Sequence, residues 1–496
     1  MDYLKLKSGT DIRGVAAEGV EGEHINLTDE VIKTITDAFL YWFCKKNNVE
    51  PTALKIAVGH DSRISADRIK TDVIGVLTKR GVNVIDCSLA STPAMFMTTV
   101  MLGCDASVQI TASHHPFNRN GLKFFTREGG LGGGDIADIL TFANENRAMN
   151  ECDGKVEKYN FMADYARHLR ELIKSGTGLE KPLEGMKIAV DAGNGAGGFY
   201  AHNVLEPLGA DVSASRYLDP DGMFPNHIPN PENAQAMASI REAVLEGECD
   251  LGVIFDTDVD RGGCVDKQGN EINRNRLIAL AAAIALENCK GGTVVTDSIT
   301  SSGLKEFIES DLGGKHHRFK RGYKNVIDES VRLNNEGIES PLAIETSGHA
   351  AFKENYFLDD GAYLVTKIII KAVNLRKVGS TIDDLTATLK EPKEEKELRF
   401  KILVDDFRAY GEKVINDLES YAKTSGWDIA PDNHEGIRVS FGDGWFLLRL
   451  SVHDPIMPLN IESDKIGGVK EIAEKICEFV KTCDKLDITP IVEFLK

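Results

Sequence analysis

The chain has 496 residues, 42% of them hydrophobic, and 58 Lys and Arg against 77 Asp and Glu give it a formal net charge of −19. So negative a protein repels nucleic acid and anionic membranes at long range, and the chain exceeds what one core can organise, which points to three or four domains at roughly 100 to 200 residues each. The nine cysteines (44, 87, 104, 152, 249, 264, 289, 477 and 483) show no C-x-x-C pair, no charged-then-apolar leader pattern opens the chain, and its longest apolar run, Leu277 to Leu286, is too short to span a bilayer. The expectation is a cytoplasmic protein with reduced thiols, no nucleic-acid or membrane partner, and a small-molecule substrate, anionic ones included, because a cleft sets its own local potential.

In chain order, Ser8-Gly9-Thr10-Asp11-Ile12-Arg13-Gly14 is a turn-rich opening whose Arg13 could reach a phosphate. A helix follows over Thr28 to Asn47, then a strand at Lys55 to Gly59 ending in the polar His60-Asp61-Ser62-Arg63, a helix to Arg80 and a strand at Asn83 to Asp86, which together make a βαβ unit. Ala106 to Pro116 is an apolar run that breaks into a loop, Thr111-Ala112-Ser113-His114-His115-Pro116; Asn120-Gly121 then turns the chain into a second strand, Leu122 to Phe125, which brings Ser113 and Lys123 near each other. On these residues alone Ser113 reads either as a nucleophile on a strand end or as a turn serine, and the absence of a G-x-S-x-G elbow disfavours a hydrolase triad.

The strand-to-loop pattern restarts at Lys187 to Gly197, where the glycines fit a tight turn into a helix better than an anion cradle, and again at Leu251 to Phe255. The second of these delivers Asp256-Thr257-Asp258-Val259-Asp260-Arg261. Three carboxylates at alternate positions of an extended loop can turn toward one point, where their repulsion calls for a cation. An EF-hand is excluded, because Arg261 stands where its Gly belongs and Lys267 where its bidentate Glu belongs; an all-oxygen set of few protein groups suits Mg²⁺.

A third restart runs from Gly292 to Ser298, through a helix near Leu304, to the basic run Lys315 to Lys324, which reads as a solvated face ending in a substrate loop at Gly322-Tyr323-Lys324. Ala343-Ile344-Glu345-Thr346-Ser347-Gly348-His349 is another strand-to-loop element with an acid, a hydroxyl and an imidazole. Glu391 to Lys396 reads as a linker. Beyond it a strand at Lys401 to Val404, a helix at Phe407 to Lys423 and two strands around Gly442-Asp443-Gly444 make an α+β domain, in which Arg438, Arg449, Ser451 and His453 could converge on a phosphate.

Taken together, Thr111 to Pro116, Asp256 to Arg261, Gly322-Tyr323-Lys324 and Glu345 to His349 closely resemble, in order and spacing, the α-D-phosphohexomutases, the phosphoglucomutase and phosphomannomutase superfamily. The resemblance implies three related α/β domains and a smaller C-terminal α+β domain around a central cleft, with bounds here at 1–155, 156–270, 271–390 and 391–496. It makes Ser113 the phosphorylated serine and a Mg²⁺ ligand with Asp256, Asp258 and Asp260, and sets Lys123, Arg13 and Arg261 near the reacting phosphate. Lys123 is then the proton carrier, with His115 as the alternative, and Glu345, Ser347 and His349 bind sugar hydroxyls.

Two stretches depart from the family pattern. His115 stands where Asn is usual, and Arg449-Leu450-Ser451-Val452-His453-Asp454-Pro455 is a divergent phosphate loop with His453 at a threonine position. The reaction implied is interconversion of hexose 1- and 6-phosphates of glucose or mannose through a hexose 1,6-bisphosphate, by a monomer or homodimer. Phosphoglucosamine mutase, a sugar-phosphate phosphatase or bisphosphate synthase, and a catalytically silent sugar-phosphate sensor are the alternatives.

Overall fold

A computed structural model describes residues 2–147, 149–451 and 454–496 of the chain. It divides into two compact units, one formed by Met1–Leu277 with Ser347–Asp384 and the other by Ile278–Thr346 with Leu385–Lys496.

The first unit opens on a sheet in the order Lys7–Ser8, Asp11–Val15, Arg119–Thr126, Ala106–Ile110, Lys55–His60, Asn83–Leu89, Lys155–Lys158. Helices cover both faces, so Ala106–Ile110 is buried at every position, its polar Ser107 and Gln109 included. The helix Asp29–Asn47 starts where Thr28 accepts a hydrogen bond from the Val31 amide, carries Asp29 and Glu30 in its first turn and Lys45 and Lys46 in its last, and seats Ile32, Ile35, Phe39 and Phe43 in the core. Strand Ala106–Ile110 lies parallel to Lys55–His60 and antiparallel to Arg119–Thr126 with Gln109 opposite Lys123. Their ends therefore deliver Asp61, Arg63, Ser113 and Lys123 toward one another.

A second sheet in this unit pairs Ile188–Asp191 in parallel with Leu251–Phe255, which continues antiparallel into Gly262–Asp266 and Glu271–Ile272. Phe255 faces Gly262, so Asp256 to Arg261 is the connection of a hairpin. This differs from the extended loop expected of the sequence: Val259 has φ 69°, its amide bonds back to the Asp256 carbonyl at 3.3 Å, and the chain closes into a turn. A buried β-branched residue in the left-handed region is strained, and the turn holds it because neighbours press on both sides. The helix Gly361–Arg376 begins with the Gly361 amide on the Val259 carbonyl at 3.1 Å, so close that a Cβ at residue 361 would fall 2.4 Å from the Arg261 carbonyl carbon.

In the second unit, Thr293–Asp297 runs parallel to Lys315–Phe319 and Leu342–Ile344. The basic run is thus a half-buried strand and not a solvated face: Arg318 donates to Thr300 Oγ1 at 3.0 Å and to the Ser301 carbonyl at 2.7 Å, and His316 pairs with Thr296. A further sheet, in the order Asp428–Ile429, Ile437–Ser440, Gly444–Leu448, Ile456–Ser463, Glu394–Ile402, Leu486–Asp487, carries the helices Phe407–Thr424 and Gly468–Val480 over a core that includes Leu398, Phe400, Leu418, Phe446 and Ile476. The linker expected at Glu391 to Lys396 is corrected here, because Glu394 already pairs with Ser463 and the strand runs unbroken to Ile402. Among the described residues no helix is long and apolar enough to cross a membrane.

Candidate active site

Ser113 lies two residues past the buried Thr111 with φ 49°. Its amide donates to Thr111 Oγ1 at 2.9 Å, and that hydroxyl donates to Asp61 Oδ2 at 2.7 Å. Arg63 holds the rest of the loop: its Nη1 donates to the carbonyls of Pro116 (2.7 Å) and Arg119 (2.8 Å), and its Nη2 to those of His115 (2.6 Å) and Ser113. A fully buried guanidinium with Asp61 as counter-ion spends its donors on backbone, which makes the loop rigid.

Ser113 Oγ donates to Asp256 Oδ2 at 2.9 Å and accepts from Arg261 Nη2 at 2.9 Å. Asp256, Asp258 and Asp260 are all buried, with carboxylate oxygens within 4.8 Å of one another. Lys123 Nζ pairs with Asp260 Oδ2 and lies 3.4 Å from Asp258 Oδ2, while Thr92 Oγ1 donates to the same Asp258 oxygen. Burial and the neighbouring Asp260 and Asp258 push Asp256 well above the carboxylate range; against burial, Lys123, His349 and Arg261 hold Asp260 well below it. Two neighbouring acids driven in opposite directions mark a turn with more negative charge than its own cations neutralise. Asp258 Oδ1 and Asp260 Oδ1 are buried without a hydrogen-bond partner, so the turn fits a hard divalent cation.

His349 closes the other side of the turn. Its neighbour Gly348 accepts from the Gly262 amide at 3.3 Å, and His349 Nδ1 pairs with Asp359. Burial opposes its charge, but Asp359 and Asp260 raise its pKa to about 9, so it stands as an imidazolium. Ser347, in the same loop, has a buried Oγ without a hydrogen-bond partner.

His114, not His115, adjoins the serine: its Nδ1 lies 3.3 Å from Ser113 Oγ and accepts from Arg261 Nη2. Burial and then Arg261 drive its pKa far down, so it is a neutral acceptor and not the base of a hydrolase triad. Burial, then Arg13, Arg63 and Arg119, push His115 down to about 3. Arg13 pairs with Asp11 at 2.8 Å on the strand beside Gly121.

In the second unit, Glu345 is buried and its Oε1 accepts from the Gly322 amide at 2.6 Å. Tyr323 and Lys324 begin the helix Tyr323–Asn335, and Lys324 pairs along it with Asp328. Arg449 is buried with its Nε 3.9 Å from Glu435, whose other partner is Ser298. Arg438 lies with its guanidinium 3.5 Å over the Trp445 ring and donates through Nη1 to the carbonyls of Ser298 (3.0 Å) and Thr300 (3.1 Å), while its Nη2 is buried without a hydrogen-bond partner. Ser451 Oγ accepts from the Asp454 amide at 3.3 Å, and His453 lies outside the described residues.

Models of the phosphoglucomutase/phosphomannomutase alpha/beta/alpha domains I, II and III match residues 5–148, 163–269 and 273–390. A phosphoglucomutase of Neisseria meningitidis serogroup B is 30% identical over 446 residues, 89% of this chain and 92% of that protein. The chain belongs to the phosphoglucomutase/phosphomannomutase family. A phosphomannomutase/phosphoglucomutase of Pseudomonas aeruginosa is 28% identical over 479 residues, 96% of this chain and 95% of that one. The crystal structure of a phosphoglucomutase/phosphomannomutase family protein from Burkholderia thailandensis superimposes with TM-score 0.81 at 25% identity, covering 98% of this chain and 100% of that chain. The fold is accordingly three α/β/α domains followed by a fourth mixed α/β domain.

Several residues of this phosphohexomutase site escaped the reading of the sequence. Asp61 and Arg63 lay in view in a strand-end polar loop, the one local signal available. Thr92 and Asp359, which meet Asp258 and His349, carry none, because each acts on a partner remote in sequence or fold.

Proposed function

We propose that this phosphohexomutase interconverts the 1- and 6-phosphates of glucose and of mannose through a phosphoryl group carried on Ser113. The observation that carries the reading is the convergence of Ser113 Oγ, Lys123 Nζ and the Arg261 guanidinium on the buried turn Asp256 to Arg261. Relatives named for glucose and for mannose phosphates support the substrate pair. Four sheets among the described residues support four domains with bounds near 155, 270 and 390.

Asp256, Asp258 and Asp260, with an oxygen of the phosphoserine, would hold Mg²⁺. Such an ion, when bound, neutralises charge on the transferring phosphoryl group. The protein's own part is alignment. Arg261 Nη2 already donates to the serine oxygen and is placed to meet the oxyanion that Ser113 becomes when its bond to phosphorus breaks. Lys123 Nζ carries the proton of the sugar hydroxyl as that oxygen bonds to phosphorus, and gives it back to the oxygen released in the second half-reaction. Between the halves the bisphosphate turns end for end, and Ser113 recovers phosphate from its other end. Ser347 Oγ and Glu345 are the acceptors and donors for ring hydroxyls; a site that binds the sugar in both orientations tolerates change at carbon 2. The scattered cysteines support a reducing, cytoplasmic compartment.

The test is Ser113→Ala together with peptide mapping. Active protein carries about one phosphate on the Ser113 peptide, and the variant binds hexose phosphate but does not isomerise it. Isomerisation by Ser113→Ala at the wild-type rate overturns the proposal; inorganic phosphate released in step with substrate consumption identifies a phosphatase instead.

A further inference from the structure

The segment His227 to Glu232 touches two places at once: the strand end at Asp191 and the Arg261 side chain. His227 Nε2 lies 3.0 Å from both carboxylate oxygens of Asp191, and its Nδ1 lies 3.1 Å from the Ile228 carbonyl. Both ring nitrogens face oxygens that can only accept, a demand that an imidazolium meets. Asp191 also accepts from Ser239 Oγ at 2.7 Å and from the Gly193 amide at 2.9 Å. Gly193, at φ 53°, packs so tightly that a Cβ there would fall 2.7 Å from Pro229 Cβ. The segment is therefore anchored in the sheet by a buried ion pair and a close backbone contact.

Three residues past His227, Asn230 Oδ1 accepts from Arg261 Nη1 at 3.2 Å and from the Glu232 amide at 3.0 Å, while Glu232 Oε2 lies 3.7 Å from the same Nη1. The other edge of that guanidinium, Nη2, donates to Ser113 Oγ and to His114. Asp256 and Asp260 draw on Arg261 Nε at 3.3 and 3.9 Å. A guanidinium is a rigid plane, so gripping Nη1 fixes where Nη2 points.

We infer that Asn230 and Glu232, carried on a segment anchored by the His227–Asp191 pair, are positioning residues for phosphoryl transfer that aim the Nη2 edge of Arg261 at Ser113 Oγ. The inference rests on Ser113 as the phosphoryl carrier. Both residues act through Arg261.

The experiment is a double-mutant cycle read in kcat and KM for glucose 1-phosphate, with Tm as a control. Asn230→Ala lowers kcat about tenfold or more and leaves KM within about twofold, because it disturbs alignment and not ground-state binding. Asn230→Asp, which keeps the acceptor, restores most of the rate. In an Arg261→Met background Asn230→Ala costs less than about twofold, since the group it aims is gone. Should Asn230→Ala melt early, Glu232→Gln carries the same cycle. An equal cost in both backgrounds, or an unchanged kcat, overturns the inference. The proposed function stands or falls separately on Ser113→Ala, which is inactive if Ser113 carries the phosphate, whatever the cycle returns.

Discussion

Replacing Lys123 by Met removes the cation closest to the aspartate turn, and the structure sets the size of the effect. At an effective dielectric of about 20, the Lys123 ammonium attracts Asp258 across 3.4 Å by roughly 5 kcal/mol, and its contact with Asp260 adds to that. The cost of burying the ammonium offsets part of this. Breaking a buried pair and leaving its carboxylates behind costs about 3 to 5 kcal/mol. Spread over the unfolding entropy of a unit of roughly 300 residues, this is a fall in Tm of about 5 to 8 °C in chelator. A divalent cation relieves the same repulsion, so Lys123→Met should gain more Tm from millimolar Mg²⁺ than the wild type does. The loss of the proton carrier should lower kcat by about 10² to 10⁴. Differential scanning fluorimetry with and without EDTA measures the first two effects. A variant as stable as wild type in EDTA, with no larger response to Mg²⁺, would refute the charge balance argued for this turn.

Asp258→Asn should lower turnover by orders of magnitude and weaken Mg²⁺-dependent stabilisation with far-UV circular dichroism unchanged, and full wild-type activity in excess chelator would show the turn to be a salt-bridged hairpin only. The buried His227 has its pKa raised above the ordinary 6.5, burial opposing the shift and Asp191's hydrogen bond and charge outweighing it. Its contribution to stability is therefore whole below pH 6.5 and is lost as pH rises through the folded value, so denaturation at pH 6 and pH 9 should differ more for wild type than for His227→Gln. The reverse order would mean that the ring is buried neutral. For the sugar, kcat/KM should be comparable for glucose and mannose 1-phosphates, and a preference of more than about 10³-fold for glucosamine 1-phosphate, roughly 4 kcal/mol, would reassign the enzyme.

What the sequence alone determined is what local chemistry encodes. The helix at Asp29–Asn47 is legible from its cap, its end charges and its apolar stripe, and the Ser113 loop from an apolar run that stops at Pro116. The three aspartates are legible because placing them so near in sequence has a cost that demands a purpose. The strand expected at Lys401 to Val404 meets only the last two residues of Glu394–Ile402, whose charged first half is held by backbone pairing to Ile461–Ser463, which no side-chain pattern reveals.

Tertiary structure alone decided which polar side chains spend themselves on the fold and which remain at the site. Arg438 and Arg449 look equivalent in sequence, yet the first lies over Trp445 and donates to two carbonyls while the second faces Glu435. His114 and His115 are adjacent, and the direction of one ring toward Arg261 sets them apart. Asp61 and Arg63 brace a loop some fifty residues on, and Asn230 reaches Ser113 only through Arg261. Such contacts depend on where strand ends meet in space, and a hydrogen bond acts over about 3 Å whatever the separation along the chain. A reading of sequence sees the donors and acceptors; only the fold decides which of them are within reach.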